Sequence, residues 1–169
     1  MTGGAHRQQG PVPYSVMAAL ELKIPPPAVT LTAGLLMWLA ARAIPELGFP
    51  NPARDYLAIG VAFAGLVTAV RGLIAFRRAG TTVNPMKPET TSSLVASGVY
   101  RWTRNPMYVG LLFVLLGWGV FLSNVAAFVV LPAFVLYLNR FQIEPEERAL
   151  ATRFGQEFAA YKARVRRWL

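Results

Sequence analysis

The chain has 169 residues, 54% of them hydrophobic and only 15% charged, with a formal net charge of +9. A charged share so far below the roughly 25% usual for soluble domains, with a mean hydropathy of +0.40, excludes an ordinary soluble globule and excludes disorder, and directs the chain to a membrane. The absence of Cys and the presence of one His, His6, exclude disulfides, cysteine nucleophiles and thiolate or histidine-cluster metal sites, so no metal is expected.

Residues 1–27 read as an N-terminal tail. Met1 to Tyr14 is Gly- and Gln-rich, and Val16 to Ile24 is long enough for a short interfacial helix that Pro25-Pro26-Pro27 would end. No apolar core followed by a small-residue cleavage site is present there, so no cleaved leader is expected. Four apolar stretches follow, at about 28–44, 56–76, 107–123 and 125–143. Each lies near the short end of the roughly 17–25 residues that cross a bilayer. Only Ser123-Asn124 separates the last two, which dictates an antiparallel hairpin.

Lys and Arg distribute unevenly around these stretches. Fourteen fall on the side that holds both termini and the loop 77–106, two (Arg42 and Arg54) on the other side, and Arg71 within a span near its end, where it can snorkel. The positive-inside rule then puts both termini and the central loop in the cytoplasm. In a membrane chain a +9 charge reads as this topology signal, so no nucleic-acid partner is expected.

Two cytoplasmic segments have organised sequence. The central loop carries turn formers at Gly80, Asn84-Pro85 and Lys87-Pro88, then a Thr/Ser run from Thr90 to Ser93. Beyond the last span a helix is expected over about 145–168. Glu146 and Glu147 lie in its first turn and Arg164, Arg166 and Arg167 near its end, complementing the helix dipole. Leu150, Phe154, Phe158, Tyr161, Val165 and Trp168 recur at helical spacing and give it one aromatic-rich face. That face suits docking on the membrane surface or on the bundle.

The densest group of polar and aromatic residues is Ser97-Gly98-Val99-Tyr100-Arg101-Trp102-Thr103-Arg104-Asn105-Pro106-Met107-Tyr108-Val109-Gly110, where the loop enters the third span. An interfacial anchor, with aromatics at headgroup depth and Arg on lipid phosphate, accounts for Tyr100, Arg101 and Trp102. It does not account for Asn105-Pro106. A proline in the first helical turn leaves the preceding backbone groups free for a ligand.

This stretch, from Leu94-Val95 through Ser97-Gly98-Val99-Tyr100-Arg101 and Arg104-Asn105-Pro106-Met107-Tyr108 to Gly110, resembles the signature of the isoprenylcysteine carboxyl methyltransferase and phospholipid methyltransferase superfamily. Glu146-Glu147, Leu150, Phe154-Gly155, Phe158, Tyr161 and Val165 are similar to the superfamily's C-terminal pattern, and the two parts flank an uncharged hairpin as they do there. The resemblance covers about residues 81–168. It implies an all-α integral membrane enzyme of four transmembrane helices. Residues 28–169 would form the methyltransferase domain, whose cytoplasmic loop and C-terminal amphipathic helix would close a pocket for S-adenosyl-L-methionine.

By the same resemblance, cofactor contacts fall on Ser92, Ser93, Leu94 and Val95, on Tyr100, on Asn105, Pro106, Met107 and Tyr108, and on a glutamate, Glu146 with Glu147 beside it. Arg140, at the cytoplasmic end of the fourth span, is the candidate to receive a substrate carboxylate, and Arg104 is placed to do the same work. Many relatives have His where this chain has Asn105. A carboxylate acceptor is already ionised and needs no base, whereas a protonated amine does, so the sequence leans to a carboxylate. The expected partners are a lipophilic or lipidated substrate and the membrane lipids.

Two other readings compete. A sterol-reductase-like membrane protein would bind NADPH, with Arg77, Arg78 and Lys87 for its 2′-phosphate. A non-catalytic scaffold would use the basic aromatic tail on anionic lipid or a partner, and would leave the paired motifs without a reason.

Overall fold

A computed structural model describes residues 21–80 and 92–169. The expected tail Met1–Tyr14, most of the expected interfacial helix, and the loop turns at Asn84-Pro85, Lys87-Pro88 and Thr90 lie outside the described residues. All the regular structure among them is helical: α1 Pro26–Ala43, α2 Arg54–Arg78, α3 Pro106–Leu122, α4 Val125–Phe128, α5 Val130–Leu138 and α6 Glu144–Arg164. Short 3-10 turns occupy Pro45–Leu47 and Gly98–Arg101, and a π-helical turn, Asn139–Ile143, joins α5 to α6.

Three boundaries differ from the sequence reading. Pro26 and Pro27 open α1 rather than closing a helix before it, since a proline in the first turn forfeits no helical hydrogen bond. The fourth apolar stretch is two helices and a π turn. Pro132 cannot donate to the carbonyl of Phe128, and the helix is interrupted between them, at Val129. The last helix ends at Arg164, so Val165 and Trp168 lie beyond it, and Gly155, with φ 49° and ψ −118°, kinks it midway. The indole of Trp168 instead reaches back to the π turn, where its N–H donates to Asn139 Oδ1 at 3.0 Å.

Among the described residues two helical runs are long and apolar enough to cross a membrane, α2 and the run Val125–Arg164 that comprises α4, α5, the π turn and α6. Helix α3 is apolar and has 17 residues, and α1 has 18. Large apolar side chains stand outward on these helices, including Leu31 (77% exposed), Ile59 (69%) and Phe63 (65%). Contiguous apolar surface of this kind is stable against lipid tails and costly in water.

The most extensive contact is between α2 and α3. It is built on small residues. A Cβ on Gly65 would lie 2.6 Å from the Gly110 carbonyl oxygen, one on Gly110 2.7 Å from Ala69 Cβ, and one on Gly117 2.7 Å from the Ala58 oxygen. Bare backbone at these points lets the two helices touch. Met37, Tyr108, Leu115, Ala127, Phe134, Leu138 and Ile143 form the core between α1, α3 and the last helices.

The α3–α4 link turns on Ser123, which is left-handed at φ 49°. Asn124 follows as N-cap, accepting from Ala126 N at 2.9 Å and donating to the Ile44 oxygen at 2.9 Å. The Phe49 N–H donates to the Ser123 oxygen at 2.9 Å. The α1–α2 loop is thereby fastened to the tip of the hairpin.

Candidate active site

The opposite end of the bundle gathers the chemistry-bearing residues of the two sequence motifs. Pro106 sets the start of α3, and Asn105 precedes it as the N-cap residue, at φ −128° and ψ 55°. Gly72 lets α2 pass close, since a Cβ there would meet Pro106 and Met107 side chains at 3.1 Å. The 3-10 turn Gly98–Arg101 then drops the Tyr100 ring onto Phe76 of α2, edge to face at 5.3 Å between centroids.

Three side chains from separate elements face one another here. Tyr100 is buried, and among the described residues its hydroxyl has no hydrogen-bond partner. The Tyr108 hydroxyl, on the first turn of α3, donates to Glu146 Oε1 on the first turn of α6. Glu146 lies beyond the apolar stretch. Burial pushes its carboxyl up to about 8, against the Tyr108 hydrogen bond and with help from the Glu147 charge. Burial also pushes the Tyr100 phenol upward, with Tyr161 and Glu146 adding to the effect. A second tyrosine braces the turn: Tyr161 donates to the Tyr100 carbonyl at 2.8 Å.

Glu147 does something else. Its carboxylate takes Arg104 at 2.8 Å, Arg167 at 2.8 Å and Lys162 at 3.5 Å. Burial works against its charge, but the hydrogen bonds from Arg167 and Arg104 outweigh it and hold the carboxyl below its usual value. Arg104 also donates to the carbonyls of Val165 at 2.6 Å and Lys162 at 3.1 Å.

Residues 165–168 run back over the Thr103–Asn105 turn. The Arg104 N–H donates to the Arg166 carbonyl at 2.9 Å. The Arg167 carbonyl accepts from Thr103 Oγ1 at 3.2 Å and from Asn105 Nδ2 at 2.9 Å. The Asn105 amide is thus engaged in holding the turn.

The remaining expected residues lie around this centre. Ser92 and Ser93 hydroxyls reach the carbonyls of Gly80 (3.5 Å) and Ala79 (3.2 Å) at the end of α2. Leu94 is half-buried and Val95 is buried. Arg140 is elsewhere, on the π turn. It pairs with Glu21 at 2.6 Å and Glu144 at 4.0 Å and lies over Phe141. Arg148 pairs with the same Glu21. The structure therefore gathers Tyr100, Tyr108 and Glu146 at one end of the bundle, ties Arg104 to Glu147 and Asn105 to the Arg167 carbonyl beside them, and keeps Arg140 with the segment before α1. Sequence reading missed Thr103, Lys162, Arg167 and Glu21. Separations of 15 residues (Lys162–Glu147) to 127 (Arg148–Glu21) hide such pairs from local pattern, although the basic run at Arg164, Arg166 and Arg167 marked the region.

Residues 53–157 match the phospholipid methyltransferase family. The chain belongs to that family. The matched segment runs from the start of α2 into α6 and contains the Tyr100–Tyr108–Glu146 group together with Arg104, Asn105, Arg140 and Glu147. An uncharacterized protein of Haemophilus influenzae is 46% identical over 63 residues, which is 37% of this chain and all of that protein. The protein-S-isoprenylcysteine O-methyltransferase of Rattus norvegicus is 37% identical over 109 residues, 60% of this chain and 38% of the rat protein. The human protein of the same name is 41% identical over 75 residues, 44% of this chain and 26% of the human one. The chain thus spans well under half the length of these two named relatives. No solved structure matches. This member of the phospholipid methyltransferase family keeps the resemblance read from its two motifs, and the structure brings those motifs into contact through Tyr108 and Glu146.

Proposed function

We propose that this chain is an integral membrane methyltransferase that uses S-adenosyl-L-methionine at the cytoplasmic face to methylate the carboxylate of a lipophilic acceptor. The observation that carries the proposal is the Tyr100–Tyr108–Glu146 group within the family-matched segment. Four spans fit the architecture: α1, α2, α3 and the run from α4 through the π turn. At about 1.5 Å per residue the 17 residues of α3 cover about 26 Å, a few ångström short of a typical hydrocarbon core, which tilt or local thinning absorbs. Residues 28–169 then form the methyltransferase unit and 1–27 an appendage to it.

The residues present fit the cofactor. The buried Tyr100 hydroxyl lacks a partner among the described residues and is a donor awaiting an acceptor. Such an atom costs about 1–3 kcal/mol if left unpaired. The Glu146 carboxyl would receive ribose hydroxyls or the amino group. Val95, the Tyr100 ring and Met107 offer the apolar surroundings an adenine requires. When bound, S-adenosyl-L-methionine supplies a methyl on a sulfonium, and transfer to an ionised carboxylate forms an ester with loss of both charges. The protein's part is to bind, align and exclude water.

Asn105 supplies no base, and an ionised acceptor needs none. Arg104 is engaged by Glu147 and two carbonyls, so we assign Arg104 and Glu147 to positioning the Asn105 turn. Arg140 remains the group for the acceptor carboxylate, with Glu21 as the partner it must exchange.

The test is methyl transfer from labelled S-adenosyl-L-methionine in proteoliposomes, with a prenylated cysteine acid and phosphatidylethanolamine offered separately. The proposal expects label on the acid as a base-labile ester. Label on phosphatidylethanolamine alone would overturn the carboxylate assignment, and label on neither would overturn the activity.

A further inference from the structure

Away from the Glu146 end, α1, α2 and α3 enclose an open apolar groove of about 590 Å³ lined by residues that include Thr30, Gly34, Trp38, Ala58, Trp118 and Phe121. Its polar atoms are already satisfied. Thr30 Oγ1 donates to the Pro26 oxygen at 2.9 Å, and the Trp118 indole N–H donates to the Gly34 oxygen at 3.0 Å. Gly34 floors the groove without being forced there by packing, because a Cβ would meet only Leu115, at 3.8 Å. From Trp38 to Thr30 the groove follows eight residues of α1, about 12 Å at helical rise. That is most of the roughly 15 Å depth of one hydrocarbon leaflet.

One end of the groove is different. Trp38 is the last lining residue on α1, Phe121 the last on α3 and Ala58 the first on α2, so all three mark the same end. There the Arg42 guanidinium lies over the Trp38 ring at 5.6 Å, and the Arg54 guanidinium lies over the Phe121 ring at 5.5 Å. Arg54 also pairs with the exposed Asp55 at 3.2 Å; among the described residues Arg42 forms no ion pair. The α1–α2 loop between these arginines is fastened to the hairpin tip through Asn124 and Phe49, which fixes where they stand. Arg42 and Arg54 are the two cations that the sequence reading leaves on the non-cytoplasmic side. The positive-inside rule disfavours cations there, and both stand at the mouth of this groove.

We propose that the groove is a binding site for an anionic phospholipid of the leaflet opposite the cofactor end. One acyl chain lies along α1 between α2 and α3. The phosphate sits between Arg42 and Arg54, each ring beneath them keeping its guanidinium at headgroup depth. The proposal rests on the four-span arrangement and is independent of the transfer reaction.

The test is native mass spectrometry of the full chain released from detergent with phosphatidylglycerol or phosphatidylcholine added. The expected result is one retained phosphatidylglycerol per chain, with preference over phosphatidylcholine. That preference should fall about fivefold for Arg42→Gln and for Arg54→Gln, as expected for about one basic contact each. Gly34→Leu, which fills the floor, should lose retention of both lipids. Helicity and detergent unfolding temperature are read on each variant, and the single arginine changes, at exposed positions, keep both. Equal retention of the two lipids by wild type, or unchanged preference in the arginine variants, overturns the site. So does a dimeric mass that carries no lipid, which would give the groove to a second copy. Displacement of the lipid by a prenylated acid at equal concentration would give the groove to the acceptor's tail, and overturns it as well.

Discussion

Glu146 and Glu147 are neighbours in sequence and opposites in state. Helix geometry turns them about 100° apart, which sends one towards two tyrosines and the other towards two arginines and a lysine. The Glu146 carboxyl, pushed up to about 8, holds its proton at pH 7. A ligand that needs the carboxylate must expel that proton, so affinity falls up to tenfold per pH unit below the transition. S-adenosylhomocysteine affinity is therefore expected to rise from pH 6.5 to 8.5 in wild type and to be flat in Glu146→Gln, as measured by titration calorimetry. Glu147 is a different experiment. Glu147→Ala leaves the Arg104 guanidinium, only 10% exposed, with its carbonyl partners alone. Removing one partner of such a pair costs about 3–5 kcal/mol. Thermal unfolding in detergent should show a large drop for Glu147→Ala and little change for Glu146→Gln.

At the scale of elements, the α2–α3 contact decides whether the site exists. Ala58, Ala62, Gly65, Ala69 and Gly72 recur at spacings of 4, 3, 4 and 3 along α2, and this small-residue stripe meets Gly110 and Gly117 of α3. The same contact carries Pro106 and Met107 past Gly72 and so sets where Asn105 and Tyr108 stand. Gly110→Val places a branched side chain where even a Cβ lies 2.5 Å from the Gly65 oxygen. Overpacking of this kind costs about 1–3 kcal/mol where neighbours can shift, and backbone here cannot shift far. The expected outcome is loss of folded protein on size-exclusion in detergent, whereas Gly60→Ala, which meets nothing within 4 Å, is tolerated.

Over the whole molecule, the helical class, the helix–link–helix at Ser123-Asn124 and the two motifs were legible because each is local: an apolar run, a two-residue link, a proline at a helix start. What stayed hidden was long-range. Nothing near Arg104 announces Glu147 or the carbonyl of Val165, 61 residues on, so Arg104 reads as a substrate group from sequence, while its guanidinium is held by Glu147 and two carbonyls. The π turn was hidden too, since an extra residue per turn leaves no signature in composition. Trp168 fitted the helical spacing, yet a contact with Asn139 and the strap over Thr103 and Asn105 hold it off the helix. Topology is testable on the chain as it is, because it contains no Cys. Single cysteines at Glu46 and at Arg166 should react with a membrane-impermeant thiol reagent from opposite sides of intact spheroplasts, Glu46→Cys from outside and Arg166→Cys only after lysis. Labelling of both from outside would contradict the four-span arrangement.

The central claim is that Tyr100, Tyr108 and Glu146 hold S-adenosyl-L-methionine. Its most direct test is calorimetric titration of the purified chain in detergent with S-adenosylhomocysteine, with NADPH run beside it and Glu146→Gln as control. The account predicts micromolar binding of S-adenosylhomocysteine, weakened at least tenfold in Glu146→Gln at pH 8.5, and no heat from NADPH. Binding of NADPH alone, or S-adenosylhomocysteine binding that ignores the Glu146 change, would contradict it.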